Sequence, residues 1–410
     1  FDYVICHGVF SWVPRPAQDA ILRICGGALT RSGIAMISYN VLPGWHTHAV
    51  VRDMCLRHAG NAGTPRERVV RVRELLEQLA ATARSNDPYG LILRTEAARL
   101  AKRPASYILG EFLTEHNSPC HFRDFCERAE ANGLAYLCET DVPSSLPELF
   151  MPDAADRIRA MAGNDPASMQ QYTDFFSGRS FRRSLVVRAE NAANRRQSIK
   201  LDLLGGLHCA GKLRLDTSAG DSHTAVFSDH RDRAFAVKGD IVKGALIRLG
   251  ERYPATATTA ELAATSLASS PDDAQRAITA AVFELVTAGR ATISSQPLRV
   301  GQASSNFPTA WEFARAEAAT AQPWVTSLNH TAVVLTPILK FLLGHMTGHN
   351  DTNQLVAILV DAIRAGHIPR SELPTVDDAP QDGAPPPAAA ICVERALEYC
   401  ALNALLEPSE

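Results

Sequence analysis

The sequence predicts a mixed α/β fold, with a sheet-bearing N-terminal part interrupted by helices and followed by mostly helical units. Three observations carry this. Strand, loop, helix and strand follow one another within the first 40 residues, a βαβ unit that implies parallel pairing. A second helix, at 122–131, feeds two later strands. Beyond residue 240 helical periodicity dominates, with only short strand signals between helices.

Taken in order, Phe1 to Cys6 is an apolar β-type run, read as a buried parallel strand entered from a segment upstream. The sequence is therefore expected to be truncated at its start. His7 to Pro14 reads as a loop, Pro16 to Leu29 as a helix and Gly33 to Tyr39 as a second buried strand. From 48 to 116 the pattern is helical. Val69, Val72, Leu75, Leu76 and Leu79 recur at three- and four-residue spacing behind Thr64-Pro65, with Glu67 at the capping-box position.

Phe122 to Ala131 reads as a helix stopped by Asn132-Gly133, Leu134 to Cys138 as a strand, 151–176 as helical, and Phe181 to Arg188 as a strand. The sheet-bearing domain is thus 1–47 plus 117–190, with insertions at 48–116 and 143–178. In a middle domain, 191–298, short strands are expected near Leu213–Leu215, Ala225–Ser228 and Ala234–Val237. Helices Asp240–Glu251, Thr259–Leu267 and Asp272–Gly289 and a strand Ala291–Ser294 follow, a winged-helix-like arrangement of three helices and a β-wing. A helical domain (299–370), a Pro-rich flexible linker (371–390) and a closing helix (391–406) complete the chain.

Composition excludes several classes. At roughly 150 residues per domain, a chain of 410 predicts two to four units. A formal net charge of −3 gives no electrostatic footprint for nucleic acid or an anionic membrane. No apolar run reaches the roughly 18 to 20 residues of a spanning helix, so a soluble, cytoplasmic protein is expected. The nine cysteines are an odd set without zinc-knuckle spacing, which suits a reducing compartment.

The run Phe1-Asp2-Tyr3-Val4-Ile5-Cys6-His7-Gly8-Val9-Phe10-Ser11-Trp12-Val13-Pro14 closely resembles the fourth-strand motif of class I methyltransferases. Its continuation, Ser38-Tyr39-Asn40-Val41-Leu42-Pro43-Gly44-Trp45-His46, is similar to bacterial methyltransferases bearing a methyltransferase regulatory domain. These include protein-lysine methyltransferases that act on bacterial outer-membrane surface proteins. The resemblance runs on through Arg52-Asp53-Met54, Asn117-Ser118-Pro119, His121-Phe122, Gln171-Tyr172-Thr173-Asp174-Phe175 and Arg179-Ser180-Phe181-Arg182. It covers most of 1–190 and is weaker but collinear from 200 to 370. Thr326-Ser327-Leu328-Asn329-His330 fits the C-terminal unit of the family, whereas Thr347 stands where Asp is expected.

The resemblance implies the C-terminal half of a Rossmann-like class I methyltransferase sheet, with S-adenosylmethionine as methyl donor, no metal, and a protein substrate methylated on lysine. Asp2, His7, Gly8 and Phe10 would then face the donor. Trp12, Asn40, Pro43, Gly44 and Trp45 would wall the substrate side, with His7 or Tyr39 assisting loss of the amine proton. Ligands of open parallel sheets sit at the carboxyl ends of strands, which suits this placement. Aromatic walls suit a cationic donor. In such enzymes the Gly-rich donor loop and the acidic ribose-binding residue lie upstream of residue 1, so this chain alone is expected to bind the donor poorly. The family's helical insertion serves dimerisation, which makes the Val69–Leu79 stripe of the 64–83 helix the candidate homodimer surface.

Plainer readings stand beside these. Trp12 and Trp45 serve equally as core packing, and Asp2 as a brace for the strand start. Arg66, Arg68, Arg71 and Arg73 read as a solvated basic face. Gly206 to Lys212 has phosphate-loop spacing but continues as strand, and His345 and His349 lack the Glu of a metal-binding helix. The 272–289 helix is too acidic to face phosphates, which argues against nucleic acid and for protein packing. The competing function is a non-catalytic scaffold that binds a protein partner.

Overall fold

The computed structural model describes residues 1–84, 86–194, 200–220, 224–266, 270–369 and 387–408, in two compact units, Phe1–Gln197 and Ser198–Glu410. In the first unit, β1 (Tyr3–Cys6), α1 (Arg15–Ala28) and β2 (Ile34–Asn40) form the predicted βαβ unit, with β1 and β2 parallel from Tyr3↔Ile34 to Cys6↔Ile37. Four helices follow: α2 (Trp45–Ala59), α3 (Pro65–Thr82), α4 (Pro88–Ala101) and α5 (Ala105–Phe112). The chain then returns through α6 (Phe122–Glu130), β3 (Leu134–Glu139), α7 (Pro147–Phe150), α8 (Ala155–Ala162), α9 (Pro166–Ser177) and β4 (Phe181–Arg188). The sheet order is β1-β2-β4-β3, with β4 antiparallel to both neighbours. Its core is Phe10, Leu22, Ile37, Tyr39, Phe122, Phe125 and Leu134.

A buried ionic network fixes the β4 end of this sheet. Arg182 has no exposed surface, and its guanidinium forks onto Asp174 of α9 at 2.8 and 2.9 Å and reaches Glu139 of β3 at 2.6 Å. Its plane lies 4.1 Å over the Phe122 ring. Burial works against the Arg182 charge, but Asp174 and Glu139 raise its pKa and hold it protonated. Glu139 also accepts from Ser184 Oγ, Tyr136 Oη and the Arg183 amide, so its lone pairs are fully used.

The helices α2 to α5 enclose their own core of Val51, Cys55, Val69, Val72, Leu76, Leu93, Leu100, Ile108 and Phe112. The predicted dimer stripe is therefore spent inside the unit. Val69, Val72 and Leu76 are at most 4% exposed, packed among α2, α4 and α5. Two arginines of the basic face are committed rather than solvated, while Arg66 is exposed as expected. Arg71 donates to the Ala59 carbonyl that ends α2 (2.8 Å), and Arg73 to the Arg103 carbonyl just past α4 (2.7 Å). Arg94 donates to the Arg84 carbonyl past α3 (2.7 Å), while Arg52 closes the end of α5 on the Glu111 and Thr114 carbonyls. Each helix of the four thus has its negative, hydrogen-bond-poor end capped by an arginine from a neighbour.

The second unit begins with β5 (His208–Ala210) and a meander of β6 (Arg214–Gly220), β7 (Thr224–Ser228) and β8 (Ala234–Lys238). Next come α10 (Asp240–Arg252), β9 (Ala257–Thr258), α11 (Thr259–Ala264), α12 (Pro271–Thr287) and β10 (Thr292–Ser294). Strands β10, β5 and β9 make a small antiparallel sheet over the three helices. Predicted α11 stops early, and Leu267 lies outside the described residues.

The C-terminal part comprises α13 (Glu312–Ala318), β11 (Trp324–Thr326), β12 (Ala332–Val334), α14 (Pro337–His345), α15 (Thr352–Arg364) and α16 (Pro387–Leu402). The closing helix starts at Pro387, inside the predicted linker, most of which lies outside the described residues. It is no separate element. Val393, Leu397 and Cys400 share one core with Leu342, Leu355 and Leu359, and Ala310 bridges to Leu406.

Candidate functional site

The carboxyl ends of the parallel strands β1 and β2 open on one corner of the first unit, built by the loop after β1, the start of α2 and the segment before α6. After β1 the chain turns at Gly8, whose φ of +69° suits glycine, and its amide donates to Ser38 Oγ of β2 at 2.9 Å. Ser11 joins the three segments. Its Oγ accepts from the Asn40 amide and its carbonyl from the Ser118 amide, both at 2.8 Å. The Asn40 carbonyl in turn accepts from Cys120, and the Cys120 carbonyl from Leu42.

Gly44 lets α2 start here. A β-carbon at this position would collide with the Gly178 and Arg179 carbonyls ahead of β4. Trp45 then sits against Trp12 from the β1 loop, rings edge to face at 5.8 Å, and against His48 at 5.1 Å.

This corner concentrates unused polar atoms. Asn40 is 2% and Trp45 5% exposed, yet neither Asn40 Nδ2 nor Trp45 Nε1 has a hydrogen-bond partner among the described residues. Asn117 Nδ2 and His121 Nδ1, on the adjoining segment, are likewise buried and unpaired. Buried donors are nearly always satisfied in folded proteins, and leaving one unmet costs about 1–3 kcal/mol. Four such atoms gather at this corner, where they are available to a bound group.

Behind Trp45 the wall is charged. His48 Nδ1 lies 2.9 Å from Glu96 Oε2, and Arg99 donates to the same carboxylate at 2.7 Å and to Tyr107 Oη at 2.9 Å. Burial pushes the Glu96 carboxyl up, but hydrogen bonds from His48 and Arg99 outweigh it and bring it below the ordinary value. Glu111 is raised by burial. The thiols near the corner are raised by burial as well, Cys120 to about 12, and are unreactive at neutral pH.

The predicted site residues divide. His7 and Gly8 are exposed at the carboxyl end of β1, with His7 edge-on to Phe181. Trp12, Asn40, Pro43, Gly44 and Trp45 do meet around the corner, Gly44 as a packing requirement. Three others do not. Tyr39 is 1% exposed, stacked on Phe125 at 4.1 Å with its hydroxyl on Ser184 at 3.1 Å, and burial drives its pKa up. It cannot take a proton from a ligand. Phe10 is a fully buried core ring under the Arg128 guanidinium. Asp2 lies at the opposite end of β1, accepting from Thr30 Oγ1 at 2.8 Å, and braces the strand start. His48, Glu96, Arg99 and the unpaired Asn117 and His121 amplify the corner without having been singled out as site residues. Only the three-residue helical step from Trp45 to His48 was visible beforehand.

The His345–His349 pair is not a helical pair, since α14 ends at His345, which packs on Phe341 at 4.7 Å.

Comparison with known proteins places these features in a family context. Residues 104–188 match a family model described as a predicted methyltransferase regulatory domain, and 306–405 one described as the PKMT C-terminal winged helix domain. The resemblance to methyltransferases with a regulatory domain is thereby met. The first match takes in α5 through β4, and the second includes the closing helix α16.

An uncharacterized protein of Rickettsia prowazekii is 28% identical over 388 residues, 91% of this chain and 68% of that protein. A second from the same organism is 38% identical over 138 residues, 33% of this chain and 55% of its own length. The fold is that of PKMT2 from Rickettsia typhi, solved in complex with AdoHcy, with a TM-score of 0.82 at 24% identity. That superposition covers 99% of this chain and 81% of the other.

Proposed function

We propose that this chain supplies the acceptor-side wall and the regulatory extensions of an S-adenosylmethionine-dependent methyltransferase that modifies lysine in a protein substrate. The observation that carries the reading is the group of buried, unpaired donors, Asn40 and Trp45 above all, beside Trp12 at the carboxyl ends of β1 and β2. The regulatory-domain and winged-helix matches support it, as does a fold shared with a protein solved with AdoHcy.

The sheet is read as half of a Rossmann-like sheet. Support comes from the parallel β1–β2 pair followed by antiparallel β4 and β3, and from Tyr3 and Ile5, which leave one face of β1 bare.

The residues present fit a donor at this corner, because the His7–Gly8 turn is exposed and nothing lies within 4 Å of the Cα-attached space at Gly8. When bound, S-adenosylmethionine supplies an electrophilic methyl group on a sulfonium. His7 and Gly8 would hold the donor side, while Trp12 and Trp45 exclude water and orient the acceptor. Transfer is an in-line displacement in which positioning dominates. A lysine amine, with a free pKa near 10.4, must first release its proton. With Tyr39 sealed in the core, exposed His7 is the base of this reading.

Homodimerisation belongs to the reading too, through Val70, Tyr89 and Leu91, which are exposed on α3 and α4, in place of the buried stripe. So does a cytoplasmic setting, supported by nine cysteines in the reduced, thiol form. No helix among the described residues is long and apolar enough to cross a membrane.

The test is calorimetric titration of S-adenosylhomocysteine into the protein as encoded in full, followed by mass spectrometry of lysines in candidate protein substrates. Binding with lysine methylation, lost in His7→Ala, is the expected result. Absence of binding defeats the enzymatic reading and leaves the scaffold.

A further inference from the structure

In the second unit a groove of about 290 Å³ runs between β8 and the helices α10 and α12. Four consecutive residues of β8, Phe235 to Lys238, line it. Side chains alternate across a strand, so consecutive residues cannot all face one side of the sheet. What they share is the strand's edge. In the order β6-β7-β8, β8 pairs only with β7 among the described residues, and its other edge carries unpaired backbone N–H and C=O groups.

The opposite wall is one face of α12, with Ala277, Ala280, Ala281 and Glu284 at helical spacing. The alanines leave room beside the edge, and Val242 and Leu246 of α10 floor it. Charge marks the rim. Arg290 is already committed, 3.5 Å from Asp229 and 4.6 Å over the Phe235 ring. Lys238 and Glu284 have no ion pair among the described residues. Glu284 is conspicuous because it stands in the last turn of α12, where the helix's negative end disfavours a carboxylate and no basic residue offsets it.

We propose that this groove docks an extended polypeptide segment as a fourth strand on β8, with small or β-branched side chains toward α12 and a basic side chain on Glu284. An unpaired strand edge selects an extended backbone, and a bare carboxylate beside it selects a cation. The inference is independent of methyl transfer, since its assay contains no methyl donor.

The probe is a fluorescein-labelled peptide of alternating threonine and valine carrying two lysines at one end, followed by fluorescence anisotropy with the 410-residue chain. Two control peptides are used, one with alternate backbone amides N-methylated and one with glutamates replacing the lysines. Saturable binding is expected, weakened about tenfold or more by N-methylation and by Ala280→Trp, which fills the groove. Glu284→Lys should reverse the preference between the lysine and glutamate peptides. Thermal melts establish that both variants fold, and Glu284→Lys, a surface change, remains informative if Ala280→Trp does not. No saturable binding, equal binding of the N-methylated peptide, or an unchanged charge preference in Glu284→Lys each overturns the proposal.

Discussion

Neighbouring rungs at one end of the β2–β4 pair, Tyr39↔Arg182 and Asn40↔Phe181, hold polar groups away from water in opposite ways. Around Arg182 every buried charge is answered: the guanidinium meets Asp174 and Glu139, and Glu139 collects three further donors. At the corner of Asn40 and Trp45, equally buried donors face nothing. The two sites are only a side-chain alternation apart, since Tyr39 points into the satisfied network and Asn40 into the unsatisfied corner. A complete network spends its hydrogen bonds on shape. An incomplete one keeps them available, and in the reading proposed above a ligand meets Asn40 and Trp45, while Arg179 Nη1 and Gln171 Nε2 are further unpaired atoms of the same unit.

The largest effect should come from breaking the complete side. Arg182→Met leaves Glu139 buried without its cation and Asp174 with only Arg179, 3.4 Å away, and urea unfolding should show a loss of about 3–5 kcal/mol. A smaller loss would mean that water reaches Asp174 and Glu139 and that the contrast between the sites is weaker than drawn. The α2–α5 bundle offers a second measure of ordinary core cost. Leu76→Ala removes a side chain 4% exposed and should lose about 2–5 kcal/mol without altering the oligomeric state seen by light scattering. A change of assembly in that variant would return the stripe to the dimer role that the family resemblance implied.

Trp45→Phe sharpens the comparison from the other side. It deletes a buried N–H that has no partner, so stability should change by no more than about 1 kcal/mol, while kcat/KM on a lysine-bearing protein falls about tenfold. Equal losses of stability and activity would make Trp45 a core residue like Phe10.

Much of this was legible in the sequence, and the failures share a cause. The four sheet strands and the helices between them announced themselves by apolar period and by Thr64, Pro65 and Glu67-type caps, which are local signals. Trp12, Asn40, Gly44 and Trp45 were expected together because they follow the carboxyl ends of β1 and β2, where ligands of parallel sheets sit, and the structure brings them to one corner. Tyr39 and Phe10 were misplaced because a motif specifies position along the chain and not the direction a side chain takes, which Phe125 and Ser184 decide from distant segments. Arg71 and Arg73 of α3 read as part of a solvated face for the same reason, because the carbonyls they cap belong to other segments. Likewise the winged-helix domain at 306–405 was split into a helical unit and a terminal helix. Its shared core closes across residues that sequence composition marks as a linker.

The smallest effect concerns the wall behind Trp45, and its sign follows from the direction of one shift. Glu96 has a folded pKa below its unfolded value, held there by His48 and Arg99 against the opposing effect of burial. The folded state therefore binds the proton less readily, and the contribution to stability is present above the unfolded pKa of about 4.3. It is lost as the pH falls through the lower folded value. Comparing the parent with Glu96→Gln by urea unfolding, the stability difference should be constant between about pH 7 and pH 5 as far as Glu96 itself is concerned, and should shrink below about pH 4. A difference that grows on acidification would mean that Glu96 is protonated in the folded state, and that the wall of the corner is held by packing alone.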